Sequence, residues 1–185
     1  MQKIFIIVLL CSFLFGCSEN EEMDRAVELR NRLCENKGIS FCCTITADYV
    51  DIIRSFQLEC EVKSTGDVTF FVVAPESIAG IGGQIDGKNG SFQFDKYALS
   101  FPLMADELLS PVSMPWVIAK ALRSGYIRST SLDGDSIRIT SDDTFIGQTL
   151  QVDAWIKEDL SIDYCEIIWE GRRLLSMKVE SFAWL

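Results

Sequence analysis

Apolar side chains recur at every second position through most of the chain after residue 42, and this period restricts the fold more than any other feature. Cys43, Ile45, Ala47 and Tyr49 fall on one face of an extended chain, and the residues between them are polar. Successive side chains of a β-strand point to opposite faces of the sheet, so this pattern is typical of a half-buried antiparallel strand. The chain is therefore expected to build a sheet with one apolar face.

The same pattern, interrupted by turn residues, predicts two groups of strands. The predicted strands are Cys43–Tyr49, Phe56–Lys63, Val68–Ala74, Ile81–Ile85, Ser91–Ala98, Tyr126–Thr130, Ser136–Ser141, Leu150–Lys157, Tyr164–Trp169 and Leu174–Phe182. Tight turns are predicted at Gly87–Gly90, Asp133-Gly134 and Glu170-Gly171, because Gly, Asn and Asp tolerate turn conformations. Val68–Ala74 is apolar on both faces, which indicates a central strand.

One helix precedes the first group of strands, and a second helix lies between the two groups. Asp24–Asn36 carries apolar residues at helical spacing and is expected to end at Lys37-Gly38, with the glycine just beyond the last turn. Trp116–Arg123 forms the second helix, with Pro115 in its first turn and Gly125 past its end. A helix, strands, a helix and more strands predict an α+β domain: one large, curved antiparallel sheet with helices on its concave face.

The N-terminus has the layout of a secretory signal: Met1-Gln2-Lys3, an apolar run Ile4–Phe15, then Gly16-Cys17. Gly16-Cys17 resembles the lipobox of bacterial lipoproteins, which implies that the Cys17 thiol is acylated. A membrane-spanning helix is the alternative, but the run would span about 20 Å against a bilayer core of about 30 Å. Plain secretion is a second alternative. We expect a signal peptide over 1–16, an acylated tether over 17–23, a domain over 24–185, and attachment to the extracytoplasmic face of the cell membrane.

The composition argues against several function classes. The chain has no histidine, which removes His-dependent acid–base pairs and His metal sites. No nucleophile–base arrangement is visible, so we expect a non-enzymatic protein without cofactor or metal. Seventeen Lys and Arg against 27 Asp and Glu give a net charge of −10, and no basic run offers a footprint for nucleic acid.

Five cysteines remain after Cys17, and none forms a C-x-x-C motif. If 51–54 is a hairpin loop with Val50 opposite Ser55, Cys43 and Cys60 lie on the same face, one diagonal step apart. A disulfide between them is one interpretation. The other is that both are small buried hydrophobic residues.

The apolar residues near the second helix also allow two interpretations, a packed core or a cavity suited to an acyl chain. A cavity would have its mouth near Leu108-Leu109. Its predicted lining residues are Phe70, Val72, Ile81, Phe92, Phe94, Trp116 and Ile118.

Several blocks resemble the LolA/LolB-like lipoprotein superfamily, in particular an uncharacterised Gram-positive lipoprotein branch. They are the lipobox, Ile45–Tyr49, Val72–Ile78, Asp86-Gly87, Ser110–Trp116, Leu122–Tyr126 and Glu166–Arg173. The resemblance covers about residues 24–185 and implies an unclosed barrel with a helical lid. It implies an anchored protein that binds an apolar or lipid-like ligand; the alternative is a cell-surface module that binds an envelope protein or senses envelope state. No position matches the cavity arginine of the carriers, so carrier activity is not implied.

Overall fold

A computed structural model describes residues 21–49, 52–87, 89–94, 97–102, 104–105, 108–145 and 147–185. These residues form two α-helices and thirteen β-strands. The helices are α1 (Glu21–Glu35) and α2 (Met114–Ser124). The strands are β1 (Gly38–Asp48), β2 (Ile53–Lys63), β3 (Val68–Ala74), β4 (Gly82–Asp86), β5 (Asn89–Phe94), β6 (Tyr97–Pro102), β7 (Met104–Ala105), β8 (Leu108–Leu109), β9 (Tyr126–Asp133), β10 (Ser136–Phe145), β11 (Gln148–Ile156), β12 (Ile162–Trp169) and β13 (Arg172–Trp184).

Eleven of these strands form one antiparallel sheet in the order β6-β5-β4-β3-β2-β1-β13-β12-β11-β10-β9. β7 and β8 pair separately. The first and last strands of the domain, β1 and β13, pair in the middle of the sheet, so β6 and β9 are its two edges and the barrel is unclosed. The predicted α+β class with a large antiparallel sheet is confirmed.

Irregular register in the strand pairs accounts for the curvature. Shifts occur at Cys42/Cys43, Gln57/Leu58, Thr140/Ser141, Trp155/Ile156 and Ile167/Ile168. Each extra residue bends its strand and increases the local twist. The sheet therefore wraps round its apolar face.

The helices occupy the concave face. α2 packs against β2, β10 and β11 and also against α1. It is buried at every position from Met114 to Leu122 except Lys120, because it packs against both the sheet and α1. α1 buries only Ala26, Leu29 and Leu33, and it lies against α2 and β9. α2 is thus enclosed between the sheet and α1.

Two arginines tie the C-terminal ends of the helices together. Arg30 of α1 donates from Nε to the Leu122 carbonyl oxygen at 2.9 Å and from Nη2 to the Gly125 carbonyl oxygen at 2.7 Å. Arg123 of α2 donates from Nη1 to the Leu33 carbonyl oxygen at 2.8 Å, and it also bonds the Ser64 carbonyl oxygen. Because the last carbonyls of a helix have no partner within it, each arginine caps the other helix.

The convex face carries a network of polar side chains. Asp153 is fully buried beneath it and pairs with Arg138 at 2.5 Å. Gln151 donates to the same carboxylate, and the Arg138 guanidinium lies 5.1 Å from the centre of the Trp155 ring. A buried carboxylate on a face without helices is thus paired and hydrogen-bonded, as burial of a charge requires.

The predicted turns at Asp133-Gly134 and Glu170-Gly171 are confirmed by direct pairing of the residues that flank them. Two local predictions are wrong. The segment predicted as one strand, Ser91–Ala98, belongs to two strands, β5 and β6. Gly38 begins β1 instead of following the helix end, and a Cβ at Gly38 would lie 2.3 Å from the Val62 carbonyl oxygen. Close approach of the next strand explains this glycine.

Candidate functional site

Four of the predicted cavity residues come together on the concave face of β3–β5. Phe70 and Val72 are buried, while Ile81 and Phe92 are partly buried and packed against the core. The Phe70 and Phe92 rings meet edge to face with centroids 5.8 Å apart. The Val72 N–H donates to the Ile81 carbonyl oxygen at 2.8 Å. These four residues therefore pack against one another.

Gly83 shows how tightly the Phe70 ring is held. A Cβ at Gly83 would lie 2.3 Å from Phe70 Cζ and 2.6 Å from the Ser91 carbonyl oxygen. A side chain at position 83 would collide with the Phe70 ring, so the ring fits only because residue 83 is glycine. Phe94 lies on β5, but its side chain is outside the described residues. Leu109 of the predicted mouth is buried, and its carbonyl oxygen accepts a hydrogen bond from the Tyr49 hydroxyl at 2.6 Å.

The other two predicted residues lie on α2. Ile118 is buried in the core. Trp116 meets the Phe145 ring of β10 edge to face, with centroids 5.8 Å apart. Trp116 also borders an open space on a second side, and that space is the candidate site.

This cavity, of about 350 Å³, lies between the C-terminal half of α2, the β2–β3 turn and the β4–β5 turn. Its lining residues are Cys34, Thr65, Gly66, Asp67, Gly87, Trp116, Lys120, Arg123 and Ser124. The volume falls in the range of small-molecule sites, about 300–1,000 Å³. Of its lining, only Trp116 was predicted from the sequence as a site residue. Spacing could have added Lys120 and Arg123, since positions i, i+4 and i+7 share one helix face.

The charges at the cavity are held by neighbouring groups. Lys120 Nζ pairs with Asp143 at 2.5 Å and lies 4.3 Å from the centre of the Phe145 ring. Asp67 accepts a hydrogen bond from the Thr65 hydroxyl at 2.8 Å. Arg123 donates hydrogen bonds to the carbonyl oxygens of Leu33 and Ser64. The polar groups therefore form a fixed rim, and Trp116 supplies the apolar wall.

The two cysteines predicted to be neighbours contact each other as free thiols. Cys43 pairs with Leu58 and Cys60 with Phe41, so they lie one diagonal step apart on the buried face. A hydrogen bond with Cys43, followed by burial, raises the pKa of the Cys60 thiol well above its ordinary value. The predicted register was wrong, since Ser55 pairs with Thr46 rather than Val50. The shift is by an even number of residues, so each side chain keeps its face. The disulfide itself stays a prediction.

A second surface lies on the convex side of β3. Phe71 is 46% exposed and Val73 43% exposed, although the strand is apolar on both faces. Depressions of about 340 and 370 Å³ flank Phe71, and both are bordered by Thr69. Glu59 and Glu61 border the first depression. Among the described residues, neither α1 nor α2 is one of the elements that pack closely against β3.

Across the described ranges, no group of three or more His, Cys, Asp or Glu side chains could hold a metal ion. Within the same part of the chain, neither helix has the length and apolar character needed to cross a membrane. Cys17 and the rest of the predicted leader and tether up to residue 20 lie outside the described residues.

Among solved structures, a LolA superfamily protein from Nitrosomonas europaea matches with a TM-score of 0.50 and 10% identity, over 85% of this chain and 92% of that chain. The fold is LolA-like. An uncharacterised conserved protein from Thermus thermophilus matches with a TM-score of 0.48 and 13% identity, over 91% of this chain and 88% of that one. Lipoprotein LppX from Mycobacterium tuberculosis matches with a TM-score of 0.42 and 12% identity, over 88% and 93%. No protein family model matches the sequence, and no curated protein matches it.

Proposed function

We propose that this protein is a non-enzymatic lipoprotein, anchored through Cys17 to the extracytoplasmic face of the cell membrane, that binds an apolar or lipid-like ligand. The observation that carries the proposal is the cavity of about 350 Å³ beside Trp116, on the concave side of an unclosed LolA-like sheet. An apolar chain entering there would lie against the indole ring, and its polar end would meet the Lys120 and Arg123 rim.

The anchor and the cavity have separate roles in this proposal. Two or three acyl chains on Cys17 would hold the protein stably at the membrane, whereas one chain binds only marginally. The chain as a whole carries a net charge of −10 and has no basic run, so the protein surface adds little attraction to anionic lipid. Ligand exchange would then take place in the water layer next to the membrane.

Uptake of the neutral fluorescent probe N-phenyl-1-naphthylamine tests the cavity. Ser124 lines the cavity from the last turn of α2 and is exposed, so Ser124→Trp fills the space without entering the core. Ser131→Trp on the exposed edge strand β9 is the matched control. We expect the Ser124 variant to lose at least tenfold in probe affinity, with both variants keeping the wild-type melting temperature. Equal uptake by both variants, or no uptake by the wild type, contradicts the proposal.

A second candidate function is a cell-surface interaction module, and the exposed Phe71 and Val73 favour it. A central strand that is apolar on both faces is usually covered on both. Glu59 and Glu61 beside Phe71 suit a partner protein that presents a lysine or arginine next to apolar side chains, with the cation over the Phe71 ring.

Photocrosslinking in intact cells distinguishes this candidate. A photoreactive residue at position 71 should capture one partner, and the same group at Thr149, exposed on the convex face of β11, should not. Adding Glu59→Lys should abolish the captured product. Probe uptake by the wild type without any Glu59-dependent product favours the lipid-binding function.

A further inference from the structure

The buried cysteines Cys43 and Cys60 do not line the cavity beside Trp116. Cys43 on β1 is 1% exposed and Cys60 on β2 is 5% exposed. They lie one diagonal step apart on the concave face of adjacent strands, since Cys43 pairs with Leu58 and Cys60 with Phe41. We propose that Cys43 and Cys60 form a disulfide when the protein folds in an oxidising environment.

Backbone irregularities on both sides of the pair make the bond reachable. Diagonal neighbours across an antiparallel pair have Cα atoms about 7–8 Å apart, slightly more than the about 4.4–6.8 Å that a disulfide takes. The β1–β13 register shifts at Cys42/Cys43, and the β2–β3 register shifts at Gln57/Leu58. Strands bend and twist locally at such positions. The small decrease in Cα–Cα distance that the disulfide needs therefore occurs where the sheet is already irregular.

The bond forms by transfer of two electrons to an oxidised thiol–disulfide exchange partner. One thiolate attacks that partner's disulfide and releases one of its thiols. The second cysteine then attacks the mixed disulfide and releases the other. Two cysteine thiols lose two protons and two electrons in total, and the partner's disulfide becomes two thiols.

Burial of the Cys43 and Cys60 thiols determines when the disulfide can form. In the folded protein both thiols are nearly inaccessible, and the raised pKa of Cys60 keeps it protonated, so exchange is slow. We therefore expect oxidation during folding and little afterwards. After the bond forms, Cys34, Cys42 and Cys165 remain as free thiols, in agreement with the odd number of cysteines.

The test uses the full chain, denatured and reduced, then refolded in a buffer of reduced and oxidised glutathione. Free thiols are alkylated under denaturing conditions, and peptides are mapped by mass spectrometry. The expected result is a linked Cys43–Cys60 peptide and an intact mass about 2 Da below that of the reduced chain, since two hydrogens are lost. The refolded oxidised protein should unfold at a higher urea concentration than the reduced one.

Three variants serve as matched controls. Cys165→Ser should keep the linked peptide, whereas Cys43→Ser and Cys60→Ser should lose it together with the dependence of the urea midpoint on reductant. Complete alkylation of both cysteines after oxidative refolding overturns the proposal, as does a link that uses Cys42 in place of Cys43. The refolding experiment needs neither export nor a ligand, so its result is independent of the proposed function.

Discussion

Removal of the Arg30 side chain should separate the two helices more effectively than removal of any exposed charge. Arg30 donates two hydrogen bonds of 2.9 and 2.7 Å to the last carbonyls of α2. Hydrogen bonds from a charged donor contribute about 1.5–3 kcal/mol each, and the cation also meets the negative end of the helix dipole, about 0.3–1 kcal/mol. Because the guanidinium is only part-buried, we take the low ends of these ranges and expect Arg30→Met to lower the free energy of unfolding by about 3 kcal/mol.

This decrease is large compared with the total free energy of unfolding of a domain, about 5–15 kcal/mol. It also falls on a helix with a small apolar contact, since α1 buries only Ala26, Leu29 and Leu33. We therefore expect α1 to detach before the sheet unfolds. Hydrogen exchange should show lower protection of α1 amides in the variant while β1 and β13 amides keep theirs.

Urea unfolding followed by circular dichroism measures the global effect. Arg128→Met is the control, because Arg128 pairs with Asp142 on the exposed face and such a pair contributes about 0–1 kcal/mol. Arg30→Lys should fall between wild type and Arg30→Met, since one ammonium cannot reproduce both bonds.

Arg123→Met should destabilise similarly, and the double variant should lose less than the two single losses combined, because both arginines hold the same helix pair. A loss below about 0.5 kcal/mol for Arg30→Met, within the range of ordinary surface substitutions, would show that Arg30 does not hold the helix pair together.

Three further predictions concern the anchor, the convex face and pH. Cys17→Ala should leave an unprocessed precursor that incorporates no labelled palmitate, and incorporation by the variant would show that the lipobox assignment is wrong. Arg138→Met should cost about 3–5 kcal/mol in urea unfolding because it strands a buried carboxylate, whereas a cost equal to that of Arg128→Met would contradict this. The Ser161 hydroxyl, 2.6 Å from Asp159, lowers the pKa of that carboxyl, so the stability it adds is lost as pH falls through the lowered pKa. Ser161→Ala should raise the pKa of Asp159 toward its ordinary value and so make that loss of stability at low pH smaller, and an unchanged carboxyl titration by NMR would exclude the hydroxyl as the cause.

Local sequence patterns predicted most of the elements, and on β1 they predicted which side chains are buried. Alternation assigned Cys43, Ile45 and Ala47 to the buried side of β1, and it did so although the predicted register with β2 was wrong. Turn residues marked hairpins such as Asp133-Gly134. Both signals are local: the two-residue period of a strand and the conformational freedom of glycine act within a few residues.

The packing of the whole domain sets which elements contact one another. The pairing of β1 with β13 and the mutual capping by Arg30 and Arg123 join residues about a hundred or more positions apart. The cavity likewise combines α2 with two distant turns, so Gly66 and Gly87 signal only turns in the sequence but line a site in the fold. The two-residue period of a strand predicts on which face of the sheet each side chain lies, but it does not predict which strand lies next to it. That neighbour depends on how all the strands and helices bury their apolar faces together.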